Sequence, residues 1–231
     1  MNLVNDNKIN ICYLCGKELV GKIDKDHVPP KQFYANDLRR LHNPNLFTLP
    51  THKPCNQTYQ GDEDYFVNSI APLAMDSYSG RYKWKDIIRF SGRPKSKKLV
   101  KMIHDEFQPN LSKLLLPPGK IIKKFDGDRV TRIIWKITRG LFFKEKNLFL
   151  PEDKPRDFKF FSVGEKPPEY LNYVLASESK GDYPGVFDYK YVELEELNFF
   201  NVWLFLLWDR IIIMTVFHNP LCECNVCKLK Y

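Results

Sequence analysis

The spacing of four cysteine and histidine residues constrains the fold of this chain more than any other sequence feature. Cys12 and Cys15 form one pair, and His52 and Cys55 form a second pair. In each pair the gap is short enough for one turn to present both side chains to one ion, and a structural zinc ion takes four such ligands. We therefore predict a closed zinc site that stabilises a segment too small to form its own core. The alternative is that the cysteines are buried thiols and that His52 lies on the surface.

Composition narrows the class of protein without identifying it. Of the 231 residues, 43% are apolar, which is enough for a packed core in one large domain or in two smaller ones. The net charge of +8 suits a polyanionic partner such as nucleic acid, and it suits plain solubility equally well. The N-terminus lacks the apolar segment of a secretory signal, so we predict a cytoplasmic protein whose clustered cysteines are metal ligands or free thiols rather than disulfides.

The most apolar stretch, residues 197–217, is predicted to be two buried strands rather than a membrane span. Asp209 and Arg210 interrupt it, and each charge at the centre of a bilayer would cost about 3 kcal/mol. The flanking runs are rich in aromatic and β-branched residues, which favours strands. We therefore predict a turn at Asp209-Arg210 and no membrane partner. A membrane-associated protein is the disfavoured alternative.

Periodicity and chain-breaking residues predict an α+β chain with two units. In the first unit, residues 1–75, we predict strands at 9–11 and 20–27, a helix at 32–41, an extended segment at 45–49 and a helix at 56–69 that ends before Pro72. The second unit, residues 76–231, is a mixed helix-and-sheet region whose role its pattern does not reveal. In it we predict helices after Arg93 and at 130–143, and strands at 158–163, 170–176, 186–194 and in the apolar stretch.

Two helical segments of the second unit are rich in basic residues. After Arg93, these residues either form a solvated face beside an apolar stripe, which we favour, or contact DNA. In the helix at 130–143, apolar residues recur on one side. Basic residues recur on another side at spacings of three and four, namely Arg129, Arg132, Lys136 and Arg139.

Four polar residues lie between the two ligand pairs or directly after them. Asp26 and His27 precede a Val-Pro-Pro segment, Asn45 precedes a short apolar run, and Asn56 directly follows the second pair. Taken singly, an Asp-His pair is usually a surface ion pair, and an Asn at a helix start is commonly an N-cap. Together with the ligand pairs, over residues 9–70, they resemble the HNH motif of the ββα-metal endonucleases.

The resemblance implies a ββα-metal unit in which Asp26 and Asn56 hold one divalent ion, Mg²⁺ or Mn²⁺. It implies that His27 is the general base that activates water, a role that an ordinary pKa of about 6.5 suits. Asn45 would fix the loop that carries His27. Asn56 stands where many members of the family have His, and His52 stands where Cys is commoner. Both residues keep a usable type of ligand.

The first functional hypothesis is therefore an endonuclease that hydrolyses phosphodiester bonds in DNA, in a bacterial or phage setting such as defence. Because an uncontrolled nuclease is toxic, the hypothesis includes a protein partner that controls its activity. The alternative is a non-catalytic zinc module that binds nucleic acid or protein. Such a module has no need of both Asp26 and His27.

Two further features stay open at the level of sequence. On a continuous helix Glu63 would lie about 10 Å from Asn56, too far to share an ion with it. Glu63 would then either orient the site or lie on a solvated face. Near the C-terminus, either a second metal site or a frayed tail with exposed thiols is predicted for His218, Cys222, Cys224 and Cys227.

Overall fold

A computed structural model of the protein describes residues 10–108, 122–161, 165–194 and 200–228. Over these residues the chain is α+β, as predicted. The strands are β1 (Ile23–His27), β2 (Thr48–His52), β3 (Phe107–Gln108), β4 (Ile122–Lys123), β5 (Arg156–Phe160), β6 (Phe187–Leu194), β7 (Phe200–Leu207) and β8 (Ile211–His218). The α-helices are α1 (Asn36–His42), α2 (Lys53–Gln57), α3 (Gln60–Ile70), α4 (Tyr78–Ser91), α5 (Lys97–Asp105), α6 (Gly127–Lys146), α7 (Asn172–Leu175) and α8 (Asn225–Lys228).

Strands β1 and β2 form an antiparallel pair that frames the first unit. The register places Asp26 opposite Leu49. Strand β1 is shorter than the strand predicted at 20–27, because the chain turns at Gly21, whose φ is +77°. Of the strand predicted at 9–11, Ile11 forms a single bridge with Glu18, and residue 9 lies outside the described residues. Because the strands are antiparallel, His27 at the end of β1 and His52 at the end of β2 lie at opposite ends of the pair.

The helical segment after β2 is split into α2 and α3. The sequence predicted one helix over 56–69, but the chain is in a turn at Thr58 and Tyr59. Helix α3 ends at Ile70, two residues before Pro72, as expected from the missing N–H of proline. The helix predicted at 32–41 is likewise divided into a 3-10 turn, Lys31–Phe33, and α1. These breaks change the direction in which the following side chains point.

The second unit is built on a four-stranded antiparallel sheet with the order β5-β8-β7-β6. The central strands β7 and β8 confirm the two predicted apolar strands, and they pair along their whole length. The turn between them has positive φ at Trp208 (49°) and Asp209 (55°), the left-handed pair typical of tight hairpins. It is therefore centred one residue earlier than predicted. Among the described residues, no helix combines the length and apolar character that crossing a membrane requires.

Helix α6 confirms the helix predicted at 130–143 and lies between the sheet and the first unit. Asp126 is its N-cap residue, and the Asp126 carboxylate accepts a hydrogen bond from the backbone N–H of Arg129 at 3.2 Å. On its apolar side, Trp135 and Phe142 contact the ring of Phe217 edge-on, at centroid distances of 5.4 and 5.6 Å. Its basic side faces the first unit, so α6 brings buried charges from the second unit to the predicted site.

One hydrophobic core includes side chains from both predicted units. Tyr13 and Phe33 of the first unit are buried in it, as are Ile134 of α6 and Trp203 of β7. The indole Nε1–H of Trp208 donates to the carbonyl of Phe33 at 2.9 Å. The boundary proposed between residues 75 and 76 stays a prediction.

One predicted strand of the second unit is wrong. Residues 170–176 were expected to form a strand, but they form a 3-10 turn, Glu169–Leu171, followed by α7. Leu171 and Val174 lie one helical turn apart and are both buried. Pro168 precedes this turn, and its fixed φ favours the start of a helix. Burial at helical spacing thus outweighs the β propensity of the neighbouring tyrosines.

The remaining predicted elements are present with shifted ends. The basic helix expected after Arg93 begins at Lys97, as α5, and its apolar residues Leu99, Met102 and Ile103 pack partly buried against the core. The strand predicted at 186–194 is β6, and the strand predicted at 158–163 is β5. Residues 162–164 lie outside the described residues.

Candidate functional site

The two predicted ligand pairs lie side by side. The ligand atoms of Cys12, Cys15, His52 and Cys55 are all within 4.8 Å of one another. With zinc bonds of about 2.3 Å to sulfur and about 2.0–2.1 Å to nitrogen, a nitrogen and a sulfur of one tetrahedral site are about 3.6 Å apart. His52 Nδ1 lies 3.4 Å from Cys15 Sγ and 4.0 Å from Cys55 Sγ, on either side of that value. This first Cys/His group could therefore hold a metal such as zinc.

The imidazole of His52 is oriented with Nδ1 toward the thiols. Its Nε2 lies 2.9 Å from the carbonyl oxygen of Glu18, to which it donates when the proton is on Nε2. That tautomer leaves the lone pair of Nδ1 free to bind a metal, as in metal-binding histidines whose other nitrogen donates to a carbonyl. His52 is the last residue of β2, and its pairing with Ile23 of β1 fixes the backbone beneath the ring.

The turn that carries Cys12 and Cys15 is built by backbone hydrogen bonds. The Cys12 carbonyl accepts the N–H of Cys15 at 3.3 Å and that of Gly16 at 2.8 Å. Gly16 has a φ of +72°, and a Cβ at this position would lie 2.8 Å from the ring of Phe149, so only glycine fits. From α6, the buried guanidinium of Arg139 donates to a carbonyl of this turn at 2.5 Å. Helix α6 therefore completes the turn from outside.

A buried ion cluster lies next to the first Cys/His group, with Asp26 at its centre. The Asp26 carboxylate accepts a hydrogen bond from the Tyr13 hydroxyl at 2.5 Å, and it lies 2.8 Å from the ammonium of Lys136. The same ammonium donates to Glu63 and lies 3.5 Å from Asn56 Oδ1. Asp26 and Asn56, which the resemblance placed on one ion, thus both approach one point. That point holds the positive charge of a residue on α6.

Tyr13 connects the ion cluster to the first Cys/His group. It lies between Cys12 and Cys15 in the chain, and its hydroxyl reaches Asp26. Burial raises the pKa of Tyr13 well above its ordinary value, and the negative charge of Asp26 adds to the shift. The hydroxyl therefore stays a proton donor, which fixes one oxygen of the carboxylate.

Glu63 lies much closer to Asn56 than the sequence predicted. The expected separation of about 10 Å assumed one continuous helix, but the turn at Thr58 and Tyr59 redirects the chain. Glu63 and Asn56 both contact the ammonium of Lys136, so the prediction that Glu63 cannot reach the ion site is wrong. Burial raises the pKa of Glu63, and the neighbouring ammonium opposes that shift.

His27 is half-buried beside Asp26, at the end of β1. Neighbouring residues of a strand ordinarily point to opposite faces. Here both residues line one cavity, because the strand ends at His27 and the chain turns at Val28. Burial lowers the pKa of His27, and the charge of Lys31 adds to the shift. The imidazole is therefore neutral at pH 7, the form that accepts a proton.

Asn45 lies outside the ion cluster, and no metal contact was predicted for it. It lines a second cavity together with His27. The backbone N–H of Val28, the residue after His27, donates to the carbonyl of Phe47 at 3.2 Å. This main-chain bond joins the loop of Asn45 to the loop of His27. The role predicted for the Asn45 side chain stays a prediction.

The ion cluster opens into a groove with basic walls. A cavity of about 460 Å³ is lined by two sets of side chains. The acidic and polar set, which we call its floor, is Asp26, His27, Asn56, Glu63 and Asp64, and the basic set, which we call its walls, is Lys25, Lys31, Arg39 and Lys83. A neighbouring cavity of about 570 Å³ shares four of its residues with the first, namely His27, Lys31, Asn36 and Arg39, and adds Arg40. The two cavities are parts of one groove, which we call the basic groove.

Two cations of the basic groove have unusual environments. Lys83 of α4 is buried, and its burial lowers the pKa of its ammonium to about 8. The Nε of Arg39 is buried and has no hydrogen-bond partner among the described residues. Perturbed or unsatisfied polar groups in a cleft are typical of binding and catalytic sites. Neither residue was predicted from the sequence.

Comparisons with known proteins add no family. No family model, no curated protein and no solved structure matches this chain. The function is therefore inferred from the chemistry of the basic groove and of the ion cluster beneath it.

The oxygen donors of the ion cluster suit a divalent ion. Asp26 and Glu63 offer carboxylates and Asn56 offers an amide oxygen, the ligand types that Mg²⁺ and Mn²⁺ prefer. All three already converge on a cation, the ammonium of Lys136. A divalent ion at this place would share these oxygens with the ammonium or replace it. The donor types are therefore those of a divalent-ion site, and the place on which they converge holds the Lys136 ammonium.

Lys136 is the residue of the ion cluster whose role was not predicted from the sequence. A signal was present, because Lys136 and Arg139 lie on one side of a helix whose other side is apolar. A basic helix side is ordinarily solvated, however, and nothing local indicates that its acidic partners precede it by 110 and 73 residues.

Replacing Lys136 with methionine is expected to lower the free energy of unfolding by about 3–5 kcal/mol, because two buried carboxylates then lose their counter-charge. Urea denaturation at pH 7 measures this. The loss should shrink toward acidic pH, where protonation of Glu63 removes one of the two charges. Lys144→Met is the matched control: the same substitution on α6 removes a more exposed pair with Asp182, worth about 1 kcal/mol or less. Equal effects of the two substitutions would contradict the buried cluster.

Proposed function

We propose that the protein is a metal-dependent endonuclease that hydrolyses phosphodiester bonds in DNA, with its chemistry in a ββα-metal unit. The observation that carries the proposal is the shared groove, in which a neutral imidazole lies beside carboxylate and amide oxygens that suit a divalent ion. Phosphodiester hydrolysis needs an activated water molecule and positive charge near the phosphate. The floor of the groove offers a base and an ion site, and its walls offer further positive charge.

In this proposal, Asp26, Asn56 and Glu63 would hold the Mg²⁺ or Mn²⁺ ion, which when bound supplies positive charge at the phosphate and the leaving oxygen. His27 would accept the proton of the attacking water. Tyr13 would keep the Asp26 carboxylate in place through its 2.5 Å hydrogen bond. In this proposal three residues hold the ion, His27 accepts a proton and Tyr13 fixes one ligand of the ion.

The walls of the groove would bind the DNA backbone. Lys31 and Arg39 border both cavities, so they lie where the phosphates on either side of the cleaved bond would pass. Arg39 is partly exposed, and a guanidinium is a suitable donor to phosphate oxygens.

Zinc in the first Cys/His group would have a structural role. Its four protein ligands fill a tetrahedral site and leave no position for water or substrate. Tyr13 leads from the turn between Cys12 and Cys15 to Asp26. The zinc ion would therefore anchor the floor of the groove without taking part in the reaction.

Plasmid cleavage by the purified protein tests the proposal. Supercoiled plasmid is incubated with the protein in buffer without divalent ion, with Mg²⁺ and with Mn²⁺. Nicked or linear DNA is expected only with a divalent ion, and the His27 variant discussed below separates the chain's own activity from a contaminant. Intact plasmid under every one of these conditions would contradict the proposed DNA cleavage.

DNA affinity is expected to fall as the pH rises through about 8, because Lys83 loses its proton near that value. The positive charge is present below this pKa and absent above it, and one such contact is worth about 1 kcal/mol, or roughly fivefold in Kd. Fluorescence anisotropy with a labelled DNA duplex at constant salt and at pH 7 and 9 measures the change. Lys83→Arg, which stays charged, should lose this part of the pH dependence. An identical pH profile for the two proteins would show that Lys83 makes no contribution.

A non-catalytic zinc module that binds nucleic acid is the second candidate. One observation favours it: Lys136 already neutralises Asp26 and Glu63, so the acidic cluster is complete without a metal. DNA binding without cleavage, unaffected by Mg²⁺ or Mn²⁺, is the result expected from such a module. A nuclease should show both binding and ion-dependent cleavage.

A further inference from the structure

The end of the chain brings together a second set of four cysteine and histidine side chains, far from the first in sequence. The ligand atoms of His218, Cys222, Cys224 and Cys227 all lie within 4.8 Å of one another. All six cysteines of the chain are free thiols in the structure. We propose that these four residues form a second zinc site, which fixes the chain beyond β8 to the end of the four-stranded sheet.

The spacing of the ligand atoms matches a tetrahedral zinc site. His218 Nδ1 lies 3.3 Å from Cys222 Sγ and 3.5 Å from Cys224 Sγ. Zinc bonds of about 2.3 Å to sulfur and about 2.0–2.1 Å to nitrogen require about 3.6 Å between such neighbours. Three thiolates and one imidazole are also the donor set of closed, structural zinc sites. The site is as compact as the first Cys/His group.

The backbone of Cys224 and Cys227 repeats the turn of Cys12 and Cys15. Both are Cys-x-x-Cys segments. The Cys224 carbonyl accepts the N–H of Cys227 at 3.0 Å and that of Lys228 at 3.0 Å, and the Cys12 carbonyl accepts the N–H groups three and four residues on in the same way. The two turns therefore present their sulfur atoms alike. Cys222 and Cys224 are separated by one residue, and His218 Nδ1 lies close to the sulfur atoms of both.

Packing and hydrogen bonds of the fold position His218 and Cys222. His218 ends β8 opposite Phe200, and the ring of Phe200 packs against the imidazole edge-on at 5.2 Å. The backbone N–H of Cys222 donates to the carbonyl of Asn219 at 2.9 Å. The side chain of Asn219 in turn donates to Glu193 of β6 at 2.7 Å. The turn between the two ligands is thus held by the sheet.

The charge balance also suits a metal site. Zinc with three thiolates and a neutral imidazole has a net charge of −1, which a nearby cation would offset. Lys154 is buried beside the turn, where its ammonium donates to the carbonyl of Pro220 at 3.4 Å. A buried ammonium without an anion is costly, and the thiolate-rich site supplies one.

Elemental analysis of the full chain, purified under reducing conditions without chelator, tests the proposal. The parent protein should contain two zinc ions, and the double variant Cys224→Ser, Cys227→Ser should contain one. Val226→Ser is the matched control, because it alters an exposed side chain between the two cysteines and removes no ligand. It should keep two zinc ions. One ion in the parent and none in the double variant would support the second zinc site and contradict zinc in the first Cys/His group. One ion in both proteins would contradict the second zinc site.

If the double variant fails to fold, protection of the thiols in the parent protein tests the second zinc site instead. The parent protein is treated with N-ethylmaleimide before and after removal of metal with a chelator, and the modified cysteines are mapped by mass spectrometry. Cys224 and Cys227, which are only partly buried, should react only after chelation. Rapid modification of both with the zinc content unchanged would overturn the proposal. A tail mass lower by two hydrogen atoms, indicating a disulfide, would overturn it as well.

Discussion

Cys55→Ala is expected to remove one zinc ion and to destabilise the first unit by more than about 4 kcal/mol, the range reached by the loss of a structural metal. Binding of a structural zinc ion is worth about 10–16 kcal/mol in small zinc domains and is coupled to folding. In this chain the ion would join the turn at Cys12 to the end of β2 at His52, two segments that otherwise meet through the five-residue strands β1 and β2. The substitution opens that closed site.

Zinc content by elemental analysis and thermal unfolding by circular dichroism measure the effect of Cys55→Ala. Gln57→Ala is the matched control, because Gln57 is exposed on the same short helix and is not a ligand. It should keep the zinc content and the Tm of the parent. A Cys55→Ala protein with both properties unchanged would show that the four residues hold no structural metal.

His27→Ala is expected to lower the rate of DNA cleavage by about 10²–10⁴-fold, which is the usual contribution of a general base. His27 is not a zinc ligand, and it is only half-buried at the edge of the groove. Its loss should therefore leave zinc content, Tm and DNA affinity close to those of the parent protein. Cleavage kinetics under single-turnover conditions, together with anisotropy for binding, separate the chemical step from substrate binding.

His104→Ala is the matched control for His27. Its imidazole is exposed on α5, and it borders neither cavity of the basic groove. It should cut DNA as fast as the parent. If His27→Ala also cuts as fast as the parent, the proposed role of His27 is wrong, whatever the zinc content. Together with Cys55→Ala, this comparison separates the residue that acts on water from the residues that hold the fold.

The ligand pairs show how much of a site can be read from local spacing. A Cys-x-x-Cys turn brings its two sulfur atoms together through hydrogen bonds three and four residues apart, so its geometry depends little on the rest of the chain. The same holds for β7 and β8, whose aromatic and β-branched residues predict strands wherever they are buried. Helix α6 was predictable because its apolar periodicity is long and regular.

The prediction of one continuous helix over 56–69 was wrong because the chain turns there without a Gly or Pro to mark the turn. Nothing in Thr58 or Tyr59 marks a turn as Gly or Pro would, so α2 and α3 were predicted as one helix. The break turns Glu63 toward Asn56 and thereby adds a third oxygen donor to the ion cluster. Residues 170–176 were predicted as a strand from their composition. They form helical turns instead, which bury Leu171 and Val174 on one side.

The sequence by itself determined the two Cys/His pairs, the α+β class and the placement of Asp26 and His27 at the end of a strand, because each follows from spacing or periodicity within a few residues. Only the tertiary structure decided that Lys136 lies among Asp26, Asn56 and Glu63. The partner of a buried charge depends on how α6 packs between the sheet and the first unit. That packing includes a close approach at Gly140, where a Cβ would lie 2.8 Å from Val28. Burial, which gives Lys83 a pKa of about 8 and lowers that of His27, likewise exists only in the folded chain.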